Sequence, residues 1–144
     1  MASKEEAGLS KAELAAMKEH LKDQKAAAKR GANRAEDEKA VLARIDEMEP
    51  ADREMAAKVH ALVTAAAPEL APKLWYGMPA YARDGKVVCF FQPAKKFGTR
   101  YSTLGFNDTA HLDDGDIWPV TYALNALTPA VEAKISALVK QAAG

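Results

Sequence analysis

Two short stretches of the chain carry side chains with the capacity for chemistry. The first is Trp75-Tyr76-Gly77-Met78-Pro79-Ala80-Tyr81. Glycine beside proline permits a sharp turn with the backbone exposed. Trp75, Tyr76, Met78, Pro79 and Tyr81, joined by Tyr101 from a later strand, could line a small apolar pocket. Trp and Tyr would each contribute one polar handle to such a pocket. The same residues would serve equally as a packed cap on one end of the core, which is the commoner use of aromatic clusters. The second stretch is His111-Leu112-Asp113-Asp114-Gly115-Asp116. An imidazole (His111) and three carboxylates (Asp113, Asp114, Asp116) within six residues could bind a hard or borderline divalent cation such as iron. No glutamate closes the stretch at the calcium-loop offset, and aspartate-rich loops are also ordinary turn chemistry.

The remaining reactive side chains read as structural. His20 and His60 fall on helices, where a single histidine is usually a partly buried packing residue. Cys89 lies inside Val87-Val88-Cys89-Phe90-Phe91 and should be inert, because reactivity needs an exposed, stabilised thiolate. One cysteine excludes an intramolecular disulfide and any multi-cysteine metal centre. There is no nucleophile elbow, phosphate-binding glycine loop, zinc-protease helix or triad pattern. The expectation is a protein that binds rather than catalyses.

The elements that must position these residues are well marked. The chain has 144 residues, 20 Lys+Arg and 20 Asp+Glu. That balance argues against a general nucleic-acid coat, which needs surplus positive charge, and against a strongly acidic iron sink. Alanine dominates residues 1–72, whereas every Trp, Tyr and Phe falls in 73–144. The first half should therefore be helical and the second should carry the sheet. Ser10 and Glu13 form a capping box for a helix over about 11–29, with Leu14, Met17 and Leu21 as a thin apolar stripe. Gly31 and Asn33 should end it. Lys18, Lys22, Lys25 and Lys29 share another face, read as solvated. Helices follow at about 35–48 (Val41, Leu42, Ile45, Met48) and 51–66 (Met55, Val59, Leu62, Val63), stopped by Pro68. Pro72 should limit 69–71 to a turn.

Beyond Pro72 the period changes to that of strands. Asp84-Gly85 centres a two-residue hairpin leading into a central strand over 86–92. A loop at 93–98 carries Lys95 and Lys96, and strands follow at 99–106 and 117–124, the latter interrupted by Pro119 as suits an edge. Thr128-Pro129 caps a closing helix over about 129–142. The order predicts an α+β fold: a small antiparallel sheet of 3–5 strands packed on helices, with an N-terminal helical extension (1–35) before the main domain (36–144). No segment has the length of a signal peptide's apolar region or a membrane span, so a cytoplasmic protein with neither membrane nor nucleic-acid partners is expected.

The run Trp75 to Tyr81, the hairpin Asp84-Gly85-Lys86 into Val87-Val88-Cys89-Phe90-Phe91, and Thr103-Leu104-Gly105-Phe106 together resemble the YdhG-like domains of unknown function. The resemblance spans roughly residues 40–142, and residues 1–35 look like an extension found in one branch of that family. It implies a small α+β domain with an antiparallel sheet and no established catalytic activity, in a group that includes frataxin-like iron-chaperone relatives. Three readings follow. One is a module binding a small ligand or protein partner near Trp75–Tyr81. The second is an iron-binding and delivery protein using the 111–116 loop. The third is an interaction or homodimerisation module acting through the N-terminal helix.

Overall fold

A computed structural model describes residues 10–30 and 33–144. The order is α1 (Lys11–Arg30), α2 (Arg34–Asp46), α3 (Pro50–Ala66), β1 (Ala71–Trp75), β2 (Met78–Arg83), β3 (Lys86–Gln92), α4 (Ala94–Phe97), β4 (Ser102–Phe106), β5 (Thr121–Leu124) and α5 (Pro129–Ala143). The five strands form one antiparallel sheet in the order β1-β2-β3-β4-β5, a meander whose neighbours in sequence are neighbours in space. The protein is α+β, as its pattern predicts. No helix among the described residues is long and apolar enough to cross a membrane.

Local chemistry explains most of the boundaries. The Ser10 hydroxyl accepts from the Glu13 amide at 3.1 Å, and the Ser10 amide donates back to the Glu13 carboxylate at 2.8 Å. Asn33, expected to help end α1, caps α2 instead: its side chain accepts from the Glu36 amide at 3.1 Å. Gly31 and the Lys29 side chain lie outside the described residues. Thr128 accepts from the Val131 amide at 3.3 Å, with Pro129 opening α5.

Strand β1 departs from the sequence expectation. Residues 68–70 do form the turn that Pro72 predicts, but a strand not expected there begins at Ala71 and takes in Pro72, which sits fully buried. Because β1 is at the sheet edge, proline's missing N–H removes no ladder bond. The Arg34 guanidinium fixes the entry to this strand, donating to the Pro68 and Leu70 carbonyls at 2.6 and 3.0 Å. Pro79 is tolerated in β2 because it precedes the first pair with β3, Ala80 opposite Phe90. At the other edge β5 begins only at Thr121, two residues after Pro119. The loop expected at 93–98 winds into one helical turn, α4, closed by Gly98 at φ +67°.

Helices α2, α3 and α5 cover one face of the sheet. Val41, Ile45, Val59, Val63, Ile135 and Val139 meet Tyr81, Cys89, Phe91 and Leu104 in the core. Burying each large side chain of this set contributes about 1.5–3 kcal/mol before the cost of ordering it. Strand alternation turns Ala80, Phe90 and Gly105 to the opposite face, where the Phe90 ring lies across Gly105 so closely that a Cβ there would strike it.

Helix α1 docks in an unexpected orientation. Ala16 is buried and Glu19 and His20 are half-buried, whereas Met17 and Leu21 are 44% and 60% exposed. Most of the apolar stripe read from the sequence thus faces away from the body. Lys18, Lys22 and Lys25 are exposed, in keeping with a solvated row.

Candidate functional site

The meander has two tight hairpin tips. Tyr76-Gly77 joins β1 to β2 with φ of +53° and +76°, and Asp84-Gly85 joins β2 to β3 with φ of +52° and +79°. Paired positive φ values are what two-residue hairpins of matching twist require. Asp-Gly suits that demand, and its tip stands in open space. A tyrosine in the left-handed region is far less usual and costs on the order of 1–2 kcal/mol. Its reward is the placement of the ring, which projects from the tip toward α1.

The tip also differs in being covered. Gly77, expected to expose its backbone, is buried beneath Glu19 and Lys96: a Cβ there would stand 2.7 Å from a Glu19 carboxylate oxygen and 2.8 Å from Lys96 Nζ. The Tyr76 ring stacks on His20, with centroids 4.0 Å apart and planes 15° off parallel. The Tyr76 amide donates to His20 Nδ1 at 3.4 Å. Trp75 stands edge-on to Tyr76 at 5.0 Å and reaches Phe90 at 5.1 Å, so the aromatic surface runs from the tip onto the outer sheet face.

Of the six residues nominated for a pocket, the structure brings Trp75 and Tyr76 together at the surface. Met78 and Pro79 are buried behind them. Tyr81 belongs to the core instead: it is fully buried, and its hydroxyl lies 2.9 Å from His60 Nδ1. Alternation along β2 turns Tyr81, with Pro79, to the face opposite Met78. Tyr101 is exposed, its ring capped by the Arg100 guanidinium at 5.1 Å.

The 111–116 loop does not gather its side chains. His111, Asp113, Asp114 and Asp116 are all exposed, and Leu112 alone anchors the segment in the core. His111 is engaged at the end of α5: its amide donates to the Ala142 carbonyl at 3.0 Å, and its ring lies against Gly144. Among the described residues no three His, Cys, Asp or Glu side chains converge as metal ligands. Cys89 is buried, and burial pushes its thiol up to about 12.

Beside the Tyr76–Gly77 tip lies a charged recess that sequence spacing does not reveal. Glu19 from α1 meets Arg44 Nη1 of α2 at 2.6 Å and Lys96 Nζ of α4 at 2.9 Å. Lys96 Nζ also donates to the Gly77 carbonyl at 3.1 Å, and Arg44 Nε lies 3.7 Å from Glu47. Lys96 is held in place from behind. Buried Asp52 of α3 accepts from the Lys95 and Lys96 amides at 3.3 and 3.2 Å, fixing the first turn of α4. A cavity of about 260 Å³ opens between Glu19, Arg44, Glu47, Met48, Asp52 and Lys96. Five elements converge on this ground, each supplying one or two residues. His20 was visible in the sequence and read as packing, while Glu19, Arg44, Asp52 and Lys96 are ordinary surface types with nothing in their spacing to single them out.

The fold is an antiparallel meander backed by helices, and its candidate site is an aromatic hairpin tip beside a pair of cations. No family model, curated protein or solved structure matches the chain, so this site is read from its own chemistry.

Proposed function

We propose that the protein is a non-enzymatic binding module whose small-molecule site is the ground around Trp75, Tyr76 and Gly77, flanked by Arg44 and Lys96. The observation that supports this reading is the seating of Glu19 and His20. Two side chains of an otherwise thinly attached helix occupy a cation pair and an aromatic face as a ligand would. The ground offers a stacking surface, a bare glycine and two positive charges, which is a recognition set. It lacks an activated nucleophile or an acid–base pair, so it supplies binding without an evident chemical step. The resemblance of the Trp75–Phe91 segment to YdhG-like domains points the same way.

The test uses Trp75 as its own reporter. With Trp118→Phe removing the second tryptophan, a panel of aromatic and aliphatic carboxylates is titrated against the fluorescence of Trp75. Saturable changes that vanish in Lys96→Ala, while the variant unfolds at the parent's urea midpoint, support the site. A panel that leaves Trp75 unchanged at millimolar concentrations sinks it.

A second reading has one specific observation in its favour. Met17 and Leu21 are exposed on α1, so this helix presents an apolar stripe to a protein partner or a second copy. Concentration-dependent self-association, abolished by Leu21→Asp, would support it. A monomer at all concentrations that captures no partner would end it.

A further inference from the structure

The recess beside Tyr76 is already occupied by this chain, and the manner of occupation describes what else would fit. Resting on the binding-module reading above, we propose that its ligand is an anion bearing a flat ring, and that α1 holds the ligand's place in cis, Glu19 standing for the anionic group and His20 for the ring.

The carboxylate position is built for an acceptor. Arg44 and Lys96 converge on Glu19 at 2.6 and 2.9 Å, from helices brought together only by the fold. Each cation has a further partner besides Glu19. Lys96 is held by the Gly77 carbonyl and by the Asp52 clamp on its own backbone, and Arg44 also faces Glu47. An incoming anion would therefore exchange one carboxylate for another at a preorganised pair rather than assemble the pair afresh. Glycine suits the approach, because the φ of +76° favours it and a Cβ would displace the flexible ends of Glu19 and Lys96.

The ring position is equally specific. Tyr76 is held by its positive-φ turn with its face presented, and His20 stacks on it nearly parallel at 4.0 Å. Parallel stacking at this spacing accepts any flat π-system and is insensitive to ring identity. The cavity of about 260 Å³ next to the carboxylate is unfilled by Glu19, leaving room for a ligand bulkier than a glutamate side chain.

The third argument concerns how α1 is attached. Residues 16, 19 and 20 lie on the inward side of a helix turning about 100° per residue, and residues 17 and 21 lie on the outward side. Among its described side chains, buried Ala16 is flanked by polar and stacking contacts that a ligand can reproduce, while Met17 and Leu21 of the apolar stripe are exposed. A cover of this kind is displaced by competition, and its release needs no rearrangement of the core.

The experiment uses the full chain and the double variant Glu19→Ala/His20→Ala, which empties both positions. The probe is indole-3-carboxylate, with acetate and indole as the two half-ligands, followed by calorimetry and by the amide shift of Gly77. The variant should bind indole-3-carboxylate at least tenfold more tightly than the wild type, and more tightly than it binds either half. Adding Lys96→Ala, or Tyr76→Asn (a residue that tolerates positive φ without supplying a ring), should reverse the gain. Equal affinity of wild type and variant at Gly77 would overturn occupation in cis while leaving the site standing. Indole or acetate alone binding as tightly as the joined molecule would overturn the ring-plus-anion class. If amide exchange shows α1 released and no probe moves Gly77, the binding-site reading falls as well. Should the double variant unfold, Glu19→Gln removes the charge alone and is put through the same comparison.

Discussion

The molecule contains two histidine–tyrosine pairs built from the same residue types, and they have opposite characters. His60 on α3 meets Tyr81 on β2 in the core. The tyrosine hydroxyl donates to Nδ1 at 2.9 Å, which leaves Nε2–H to donate to Glu38 at 3.2 Å. That tautomer is assigned from the network, since it satisfies all three groups at once. Burial drives the Tyr81 pKa upward, with Cys89 and Glu38 nearby adding to the shift. His20 on α1 meets Tyr76 by stacking, and its Nδ1 accepts only a long bond from a backbone amide. One pair is locked by partners on both sides and by exclusion of water. The other can be parted by sliding one helix away. Burial rather than residue type separates a locked histidine from one that a shift of its helix can release.

The sharpest way to break this contrast is to cut the same tyrosine ring at each place. Tyr81→Ala should cost about 3–5 kcal/mol in urea unfolding, the range for emptying a large buried aromatic position. Tyr81→Phe should cost about 1–3 kcal/mol, because it strands His60 Nδ1 without its donor. Tyr76→Asn should change global stability by under about 1 kcal/mol, the lost stack being offset by easier positive φ. Comparable losses at the two sites would dissolve the distinction.

Alkaline pH sharpens the same comparison from the side of the core. Cys89, paired with Tyr81 across the ladder, has its thiol raised by burial from 9.0 to about 12. Tyr81 is raised as well. A raised value means the folded state keeps its proton after the unfolded chain has lost it. The stability contribution is therefore intact below about pH 9 and declines as pH climbs toward about 12. The slope from the thiol alone should be about 1.4 kcal/mol per pH unit. Cys89→Ala should remove that slope, and in the native wild type iodoacetamide at pH 8 should leave the thiol unmodified. Rapid labelling under native conditions would show that the core around the buried pair opens.

Asp52 links the two regions, since it is buried like Tyr81 but serves the recess. Asp52→Ala leaves the Lys95 and Lys96 amides without their acceptor and should cost about 1–2 kcal/mol, comparable to loss of a helix cap. It should also weaken anion binding by loosening Lys96. A loss of stability with unaltered binding would separate the clamp from the site.

How far this contrast could be read from the sequence depends on whether the cause is local. The Ser10 box, Thr128-Pro129 and Asp84-Gly85 act within four residues, so helix ends and one hairpin were legible. β1 was not legible, because edge position makes Pro72 acceptable and edges are set by the whole sheet. Tyr76 and Tyr81 stand five residues apart and were grouped, although the tip and strand alternation send them to different environments. The recess draws on Glu19, Arg44, Asp52, Gly77 and Lys96, whose only relation is spatial. The docking face of α1 was also hidden, since its apolar stripe would suggest the opposite side.

The smallest global effect should come from Glu19→Gln. Glu19, Arg44 and Lys96 are 28%, 17% and 25% exposed at their side chains, and ion pairs with this access to solvent contribute about 0–1 kcal/mol. Urea midpoints should therefore shift little. Yet that contribution bears on how α1 is held, because Met17 and Leu21 are exposed and the other contacts described for this helix are buried Ala16, half-buried Leu14, one stack and one long hydrogen bond. Amide exchange within α1 should accelerate several-fold in Glu19→Gln, and again in wild type when salt rises from 0.1 to about 1 M and the screening length shortens from about 10 to 3 Å. Exchange in α3 around His60 should be indifferent to both changes. If α1 and α3 respond together, α1 is part of the cooperative core and the two histidine–tyrosine pairs are one kind of contact after all.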